Sequence, residues 1–159
     1  DHGHLLVACA HNQGNDNDLV PLLPASYDLN NVISVAATDK HEKLAKFSNY
    51  GDVSVDLAAP GVGIYSTIPD GRYAKFTGTS MATPHVTGAA ALIWARDPNL
   101  TYGEVKNRIL SSVDQLPDLQ GKTLTGGRLN VFAAVNAANL GQPSLASTNS
   151  ATFSGPTAA

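Results

Sequence analysis

The stretch Gly78-Thr79-Ser80-Met81-Ala82-Thr83-Pro84-His85 sets a serine directly at the start of an apolar, small-residue helical pattern that runs over 79–96. A hydroxyl in that place sits at the positive end of the helix dipole. It lies beside backbone N–H groups that have no partner inside the helix. A nucleophile whose attack creates an oxyanion is well served there, because unspent donors meet the developing charge.

Working outward, the elements around this stretch alternate between strand and helix. Residues 5–10, Leu-Leu-Val-Ala-Cys-Ala, are continuously apolar, as expected of a strand covered on both faces of a parallel sheet. Residues 32–37 (Val-Ile-Ser-Val-Ala-Ala) and 53–58 (Val-Ser-Val-Asp-Leu-Ala) read the same way. Pro69-Asp70-Gly71-Arg72 between 64–68 and 73–77 is a hairpin signal. Thr101-Tyr102-Gly103-Glu104 is a capping box that opens a helix with Val105, Ile109, Leu110 and Val113 on one stripe. Val131, Ala134, Val135 and Ala138 make a shorter stripe in a last helix. From Gly141 the chain is uncharged and rich in Ser, Thr, Pro, Gly and Ala, so residues 1–140 are expected to form one domain and 141–159 a linker or disordered tail.

The connection 11–31 is long for a structureless loop in a compact domain, and such loops usually carry function. Asn12 stands at the carboxyl end of the first strand, where open α/β sheets place their ligands. Its amide can turn two donors toward an oxyanion. Taken alone, an asparagine there is as well explained by a turn cap. Asn15-Asp16-Asn17-Asp18 offers clustered oxygens, but the spacing is not that of an EF-hand loop, and Asx turns account for it more simply.

Taken together, these segments resemble the subtilisin-like serine peptidases (subtilases). The octapeptide at 78–85 is similar to their active-serine motif, and Val7 to Asn12 is similar to the segment whose asparagine completes the oxyanion hole. Pro24-Ala25-Ser26-Tyr27, Val32 to Ala37, Phe47-Ser48-Asn49-Tyr50-Gly51, Leu57-Ala58-Ala59-Pro60-Gly61 and Gly126-Gly127-Arg128-Leu129-Asn130 follow in the family's order. The resemblance runs from about Leu5 to Asn136. It implies an α/β fold of three layers, a mostly parallel sheet flanked by helices, present here as an N-terminally truncated portion. It also implies that Ser80 and Asn12 are catalytic, and that Cys9, Ala10, His11 and Thr79 bind substrate.

Family order is Asp, then His, then Ser, so the resemblance places the first two upstream of Asn12. His2, in Asp1-His2-Gly3-His4, superficially resembles the histidine motif but immediately precedes the oxyanion strand. His85, five positions after Ser80, is rotated about 140° away on a helix and cannot take the hydroxyl proton. His41 lies in a charged surface segment. No residue here is a credible base, and the missing half of the catalytic domain is the implied partner, alongside a protein or peptide substrate. His11 stands where the family has glycine, so a side chain there brings strain or narrows the cleft if the position needs a positive φ. Cys9 is read either as lining the substrate wall or as a small buried hydrophobe. No cofactor is required for the chemistry. Structural calcium, found in many subtilases, has no assigned ligands.

Composition excludes other classes. The net charge of −3 and pI near 5.9, with no basic block, argue against nucleic acid or an anionic membrane as partner. The apolar helix at 79–96 is too short and too rich in Gly, Ala and Thr to span a bilayer. A single cysteine excludes an internal disulfide framework. Gly121-Lys122-Thr123 lacks the upstream glycine of a phosphate loop, which Leu116 replaces. Gly78-Thr79-Ser80-Met81-Ala82 lacks the second glycine of a lipase-type elbow. Asn99-Leu100-Thr101 is a glycosylation sequon whose threonine also caps a helix. The expectation is the nucleophile-bearing part of a secreted serine endopeptidase. The alternative is a non-catalytic subtilase-like domain used for binding or scaffolding, with His11 in its favour.

Overall fold

The computed structural model describes residues 3–137. Its main sheet has the order β1-β2-β3-β7-β6, built from β1 (Leu6–Cys9), β2 (Val32–Thr38), β3 (Leu57–Pro60), β6 (Asp114–Gln115) and β7 (Gly127–Arg128). The β1–β2, β2–β3 and β3–β7 pairs are parallel, and β6 runs antiparallel to β7. β4 (Ile64–Ile68) and β5 (Arg72–Phe76) form a separate antiparallel hairpin. The helices are α1 (Thr79–Arg96), α2 (Tyr102–Ser111) and α3 (Val131–Asn136). No helix among the described residues is long and apolar enough to cross a membrane.

Continuous burial of β2 explains its continuous hydrophobicity: every residue of Val32–Thr38 is buried. Alternate residues face two separate clusters. Ile33, Val35 and Ala37 meet Leu57 and Ala59 of β3 together with Ala82, Val86, Ala89, Ala90 and Ile93 of α1, joined by Val105 and Ile109 of α2 and Ala134 of α3. On the other face Ala36 and Ala58 pack with Ala10, Val55 and Leu119. Small residues along α1 bring its axis close to the sheet. This close seating places its N-terminus at the carboxyl ends of β1 and β2.

Turn chemistry behaves as the residues dictate. Asp70 (φ 65°) and Gly71 (φ 67°) are both left-handed, the geometry that matches hairpin twist. In the capping box at α2, the Thr101 side chain accepts from the Glu104 N–H and the Glu104 carboxylate accepts from the Thr101 N–H. Val113 lies past the end of that helix, and Ala138, like the expected tail 141–159, lies outside the described residues.

One expected strand is corrected. Residues 53–56 do not extend β3: Val53 is 76% exposed and the ladder begins at Leu57. The Asp18 carboxylate takes the N–H of Val53 (3.1 Å) and of Ser54 (2.8 Å), removing donors a ladder would need. Asp56 completes the substitution, its Oδ2 accepting from the Ser34 N–H at 2.7 Å. Burial pushes the Asp56 carboxyl above its ordinary range, against the pull of Lys106 and the Ser34 N–H. Lys106 Nζ lies 3.2 Å from Asp56 Oδ1 and donates to the Val32 carbonyl at 2.5 Å, tying α2 to the edges of β2 and β3.

Candidate active site

Three chain segments converge where α1 begins. β1 delivers Asn12, the end of β3 delivers Gly61, and the hairpin returns through Thr77 to Gly78. The Gly78 N–H donates to the Gly61 carbonyl at 2.8 Å. A Cβ added at Gly61 would lie 2.6 Å from Ala37 Cβ and 2.8 Å from the Gly78 carbonyl oxygen. Only glycine lets β2, β3 and the start of α1 approach so closely.

Thr79 is fully buried at the first turn of α1. Its N–H and its Oγ1 both donate to Asn12 Oδ1, each at 2.9 Å. Two donors on one oxygen settle which end of the amide is which, so Nδ2 is the free end. The following residue, Ser80, is exposed on the first turn. Its N–H is one of the orphan donors of a helix start, and the Asn12 amide stands beside it on Thr79. Pro84 inside the helix lacks the N–H that would otherwise bond the Ser80 carbonyl.

Two histidines are engaged elsewhere, and His2 lies outside the described residues. His85 Nδ1 lies 2.9 Å from the Met81 carbonyl, so its ring turns back along α1 as the rotation argument requires. His11 Nε2 lies 3.3 Å from the Leu23 carbonyl, and His4 and His41 are exposed. Neither His85 nor His11 therefore turns its bonded ring nitrogen toward Ser80.

His11 adopts φ 79°. The position does require the left-handed region, and this chain holds a side chain there, where glycine would be unstrained. Cys9, half-buried and free, ends β1 opposite Val35. Ala10 is fully buried; its N–H donates to the Val35 carbonyl and its carbonyl accepts from Asn17 Nδ2 at 3.0 Å. The segment 15–18 contains an Asx turn, Asp18 N–H to Asp16 Oδ1 at 2.9 Å. Burial works against the charged form of Asp18, yet hydrogen bonds from Ser54 and Val53 hold its carboxyl below the ordinary value. Asn17 belongs to a different system. It is 1% exposed and bonded through Oδ1 to Asn49 Nδ2 at 2.8 Å. Sequence reasoning did not single out this buried pair, because nothing local separates a buried asparagine from one capping a turn.

With this geometry in view, comparison with known proteins is specific. A profile of the Subtilase family (Peptidase_S8) matches residues 1–129. Subtilisin DY of Bacillus licheniformis is 42% identical over 135 residues, covering 83% of this chain and 47% of that protein. Thermitase of Thermoactinomyces vulgaris is 42% identical over 136 residues, 84% of this chain and 44% of thermitase. Subtilisin-like protease 2 of Plasmodium falciparum is 50% identical over 93 residues, which is 58% of this chain but 7% of that protein. A solved structure described as the structural basis of subtilase cytotoxin SubAB assembly superposes with a TM-score of 0.74 at 31% identity, covering 82% of this chain and 48% of the other. The chain thus spans just under half the length of subtilisin DY and of thermitase.

Proposed function

Because the chain belongs to the subtilase family of serine peptidases, we propose that it is the nucleophile-bearing part of a secreted serine endopeptidase acting on protein or peptide substrates. The observation that carries this reading is the double hydrogen bond from Thr79 to Asn12 Oδ1, which leaves Asn12 Nδ2 free beside the start of α1. Ser80 Oγ attacks the scissile carbonyl. A histidine from the remainder of the catalytic domain takes the proton, and an aspartate from the same remainder orients that histidine. Negative charge then develops on the carbonyl oxygen, where Asn12 Nδ2 and the Ser80 N–H receive it. Cys9 and His11 line the wall for the residue on the acyl side of the cut, while Ala10 and Thr79, both fully buried, support it from behind.

The rest of the catalytic domain docks on what this chain leaves open. β1 is an edge strand among the described residues, with Leu6 43% exposed, and α1 exposes Pro84, Thr87, Gly88, Ala91 and Leu92 along one side. An open edge beside an apolar helix face invites a further strand and its cover. The scaffold alternative rested on His11, but the His11 backbone keeps the left-handed turn and its carbonyl is held by the Asn49 N–H at 3.0 Å. The substitution therefore leaves the loop shape compatible with catalysis.

A fluorophosphonate probe tests the assignment. Full-length protein should be labelled at Ser80, and Ser80→Ala should abolish both labelling and turnover. These 159 residues alone, with the base expected in the remainder of the catalytic domain, should label slower by several orders of magnitude. Labelling of the bare chain at the full-length rate would place the base within it and overturn the division of labour.

A further inference from the structure

The loop that carries Asn12 is gripped on both sides of that residue by one buried residue, through its backbone before Asn12 and its side chain after it. Asn49 is 0% exposed. Its backbone N–H donates to the His11 carbonyl at 3.0 Å, immediately before Asn12. Its Oδ1 accepts from the Gln13 N–H at 2.7 Å, immediately after Asn12, and from the Asn15 N–H at 3.2 Å. Two N–H donors on that side demand an oxygen, so the amide orientation is determined, and Nδ2 donates to Asn17 Oδ1 at 2.8 Å. Asn17 in turn donates to the Ala10 carbonyl, closing the circuit on the end of β1. Behind Asn49, the Ser48 hydroxyl donates to its carbonyl at 2.9 Å and accepts from the Ala37 N–H at 2.9 Å, anchoring the arrangement to β2.

We infer that Asn49, locked by Asn17, is a positioning residue for the oxyanion donor: it sets the backbone of 11–13 so that Asn12 can meet Thr79 and aim Nδ2 at the oxyanion. The inference rests on the catalytic reading of Asn12. Asn12 is exposed and its side chain is hydrogen-bonded to Thr79, so its direction depends on where the loop backbone is held. A buried network with every member satisfied fixes that backbone more tightly than exposed turn bonds would. Oxyanion stabilisation is sensitive to such placement, because the donor must sit at hydrogen-bond distance from an oxygen that has moved out of the ground-state plane.

The test is a double-mutant cycle in the full-length protein with a peptide substrate. Asn49→Ala should lower kcat about ten-fold, bounded above by the whole contribution of Asn12, with KM held within about two-fold. In an Asn12→Ala background the same substitution should cost less than about two-fold, since the group it aims is gone. A merely structural role would multiply through both backgrounds alike, and that result, or a change confined to KM, overturns the inference. If Asn49→Ala does not fold, Asn17→Ala replaces it. That variant keeps the oxygen that holds Gln13 and should show a smaller kcat loss with the same dependence on Asn12, an equal loss in both backgrounds again being fatal. If Asn12→Ala by itself leaves kcat unchanged, the catalytic assignment fails first and this inference goes with it.

Discussion

Replacing Lys106 by Met strips a buried carboxylate of its counter-ion. Asp56 and Lys106 are 11% and 17% exposed in their side chains, with Nζ 3.2 Å from Oδ1. Removing one partner of such a pair costs about 3–5 kcal/mol, mostly the penalty of a charge left buried and unmatched. Here the Val32 carbonyl also loses its Nζ donor, while the Ser34 N–H still serves Asp56 Oδ2, which pulls the figure toward the lower end. At roughly 2–4 °C per kcal/mol for a domain of this size, Tm should fall by about 10 °C. The pH dependence follows from the sign of the Asp56 shift. Burial raises its folded carboxyl above the ordinary 3.8 of the unfolded chain. The folded state therefore holds the proton more tightly, and the ionised group destabilises the fold most above the raised value. Loss of Lys106 removes the attraction that opposed the rise, so the defect should be greatest at neutral pH and shrink as pH falls toward 4. Differential scanning fluorimetry of full-length protein in the Ser80→Ala background, which prevents autolysis, measures this across pH. The double variant Asp56→Asn/Lys106→Met should recover most of the loss. A Tm change under about 2 °C for Lys106→Met, or a loss that does not shrink at all as pH is lowered from 8 to about 4, would refute the reasoning.

His11→Gly relieves a left-handed side-chain conformation worth about 1–2 kcal/mol, partly offset by added freedom of the unfolded chain, so Tm should hold or rise slightly. The same change should broaden a peptide-library profile toward large aromatics at the cleavage site, and an unchanged profile would remove His11 from the specificity wall. Gly61→Ala drives a Cβ against Ala37 Cβ and the Gly78 carbonyl, so it should cost about 1–3 kcal/mol and also lower kcat by shifting the start of α1. Wild-type Tm and kcat in this variant would show that the junction yields without strain. Asp18, whose folded carboxyl is held below the ordinary 3.8, contributes stability that is present above that value and lost as pH falls through the folded one. Asp18→Asn should accordingly flatten the acid limb of the Tm–pH curve, and an unaltered limb would mean that the Val53–Ser54 turn does not depend on the charge.

The short-range features were legible because their physics is short-range. A capping box needs Thr101 and Glu104 three residues apart, a tight hairpin needs Asp70-Gly71, and a buried parallel strand needs an unbroken apolar run such as 32–37. Ser80 was singled out for a related reason: a serine in the first turn of a helix lies beside orphan N–H groups wherever it occurs. Residues 53–56 misled because Val-Ser-Val-Asp, running on into Leu57-Ala58, has the composition of a strand. Only the fold brings the Asp18 carboxylate to the N–H groups that the strand would have used.

The residues of this chain by themselves determined the helix-flanked parallel α/β architecture and singled out Ser80 and Asn12 as the candidates for nucleophile and oxyanion donor, since each depends on side-chain types within a few positions of one another. The tertiary structure alone decided how Asn12 is held. Asn49 is far from it in sequence, and its partners at 11, 13, 15 and 17 are backbone groups and another amide, which any residue type or any turn could have satisfied locally. Hydrogen-bond capacity is written in the sequence; which buried donor meets which acceptor is settled only when distant segments are packed together and water is gone.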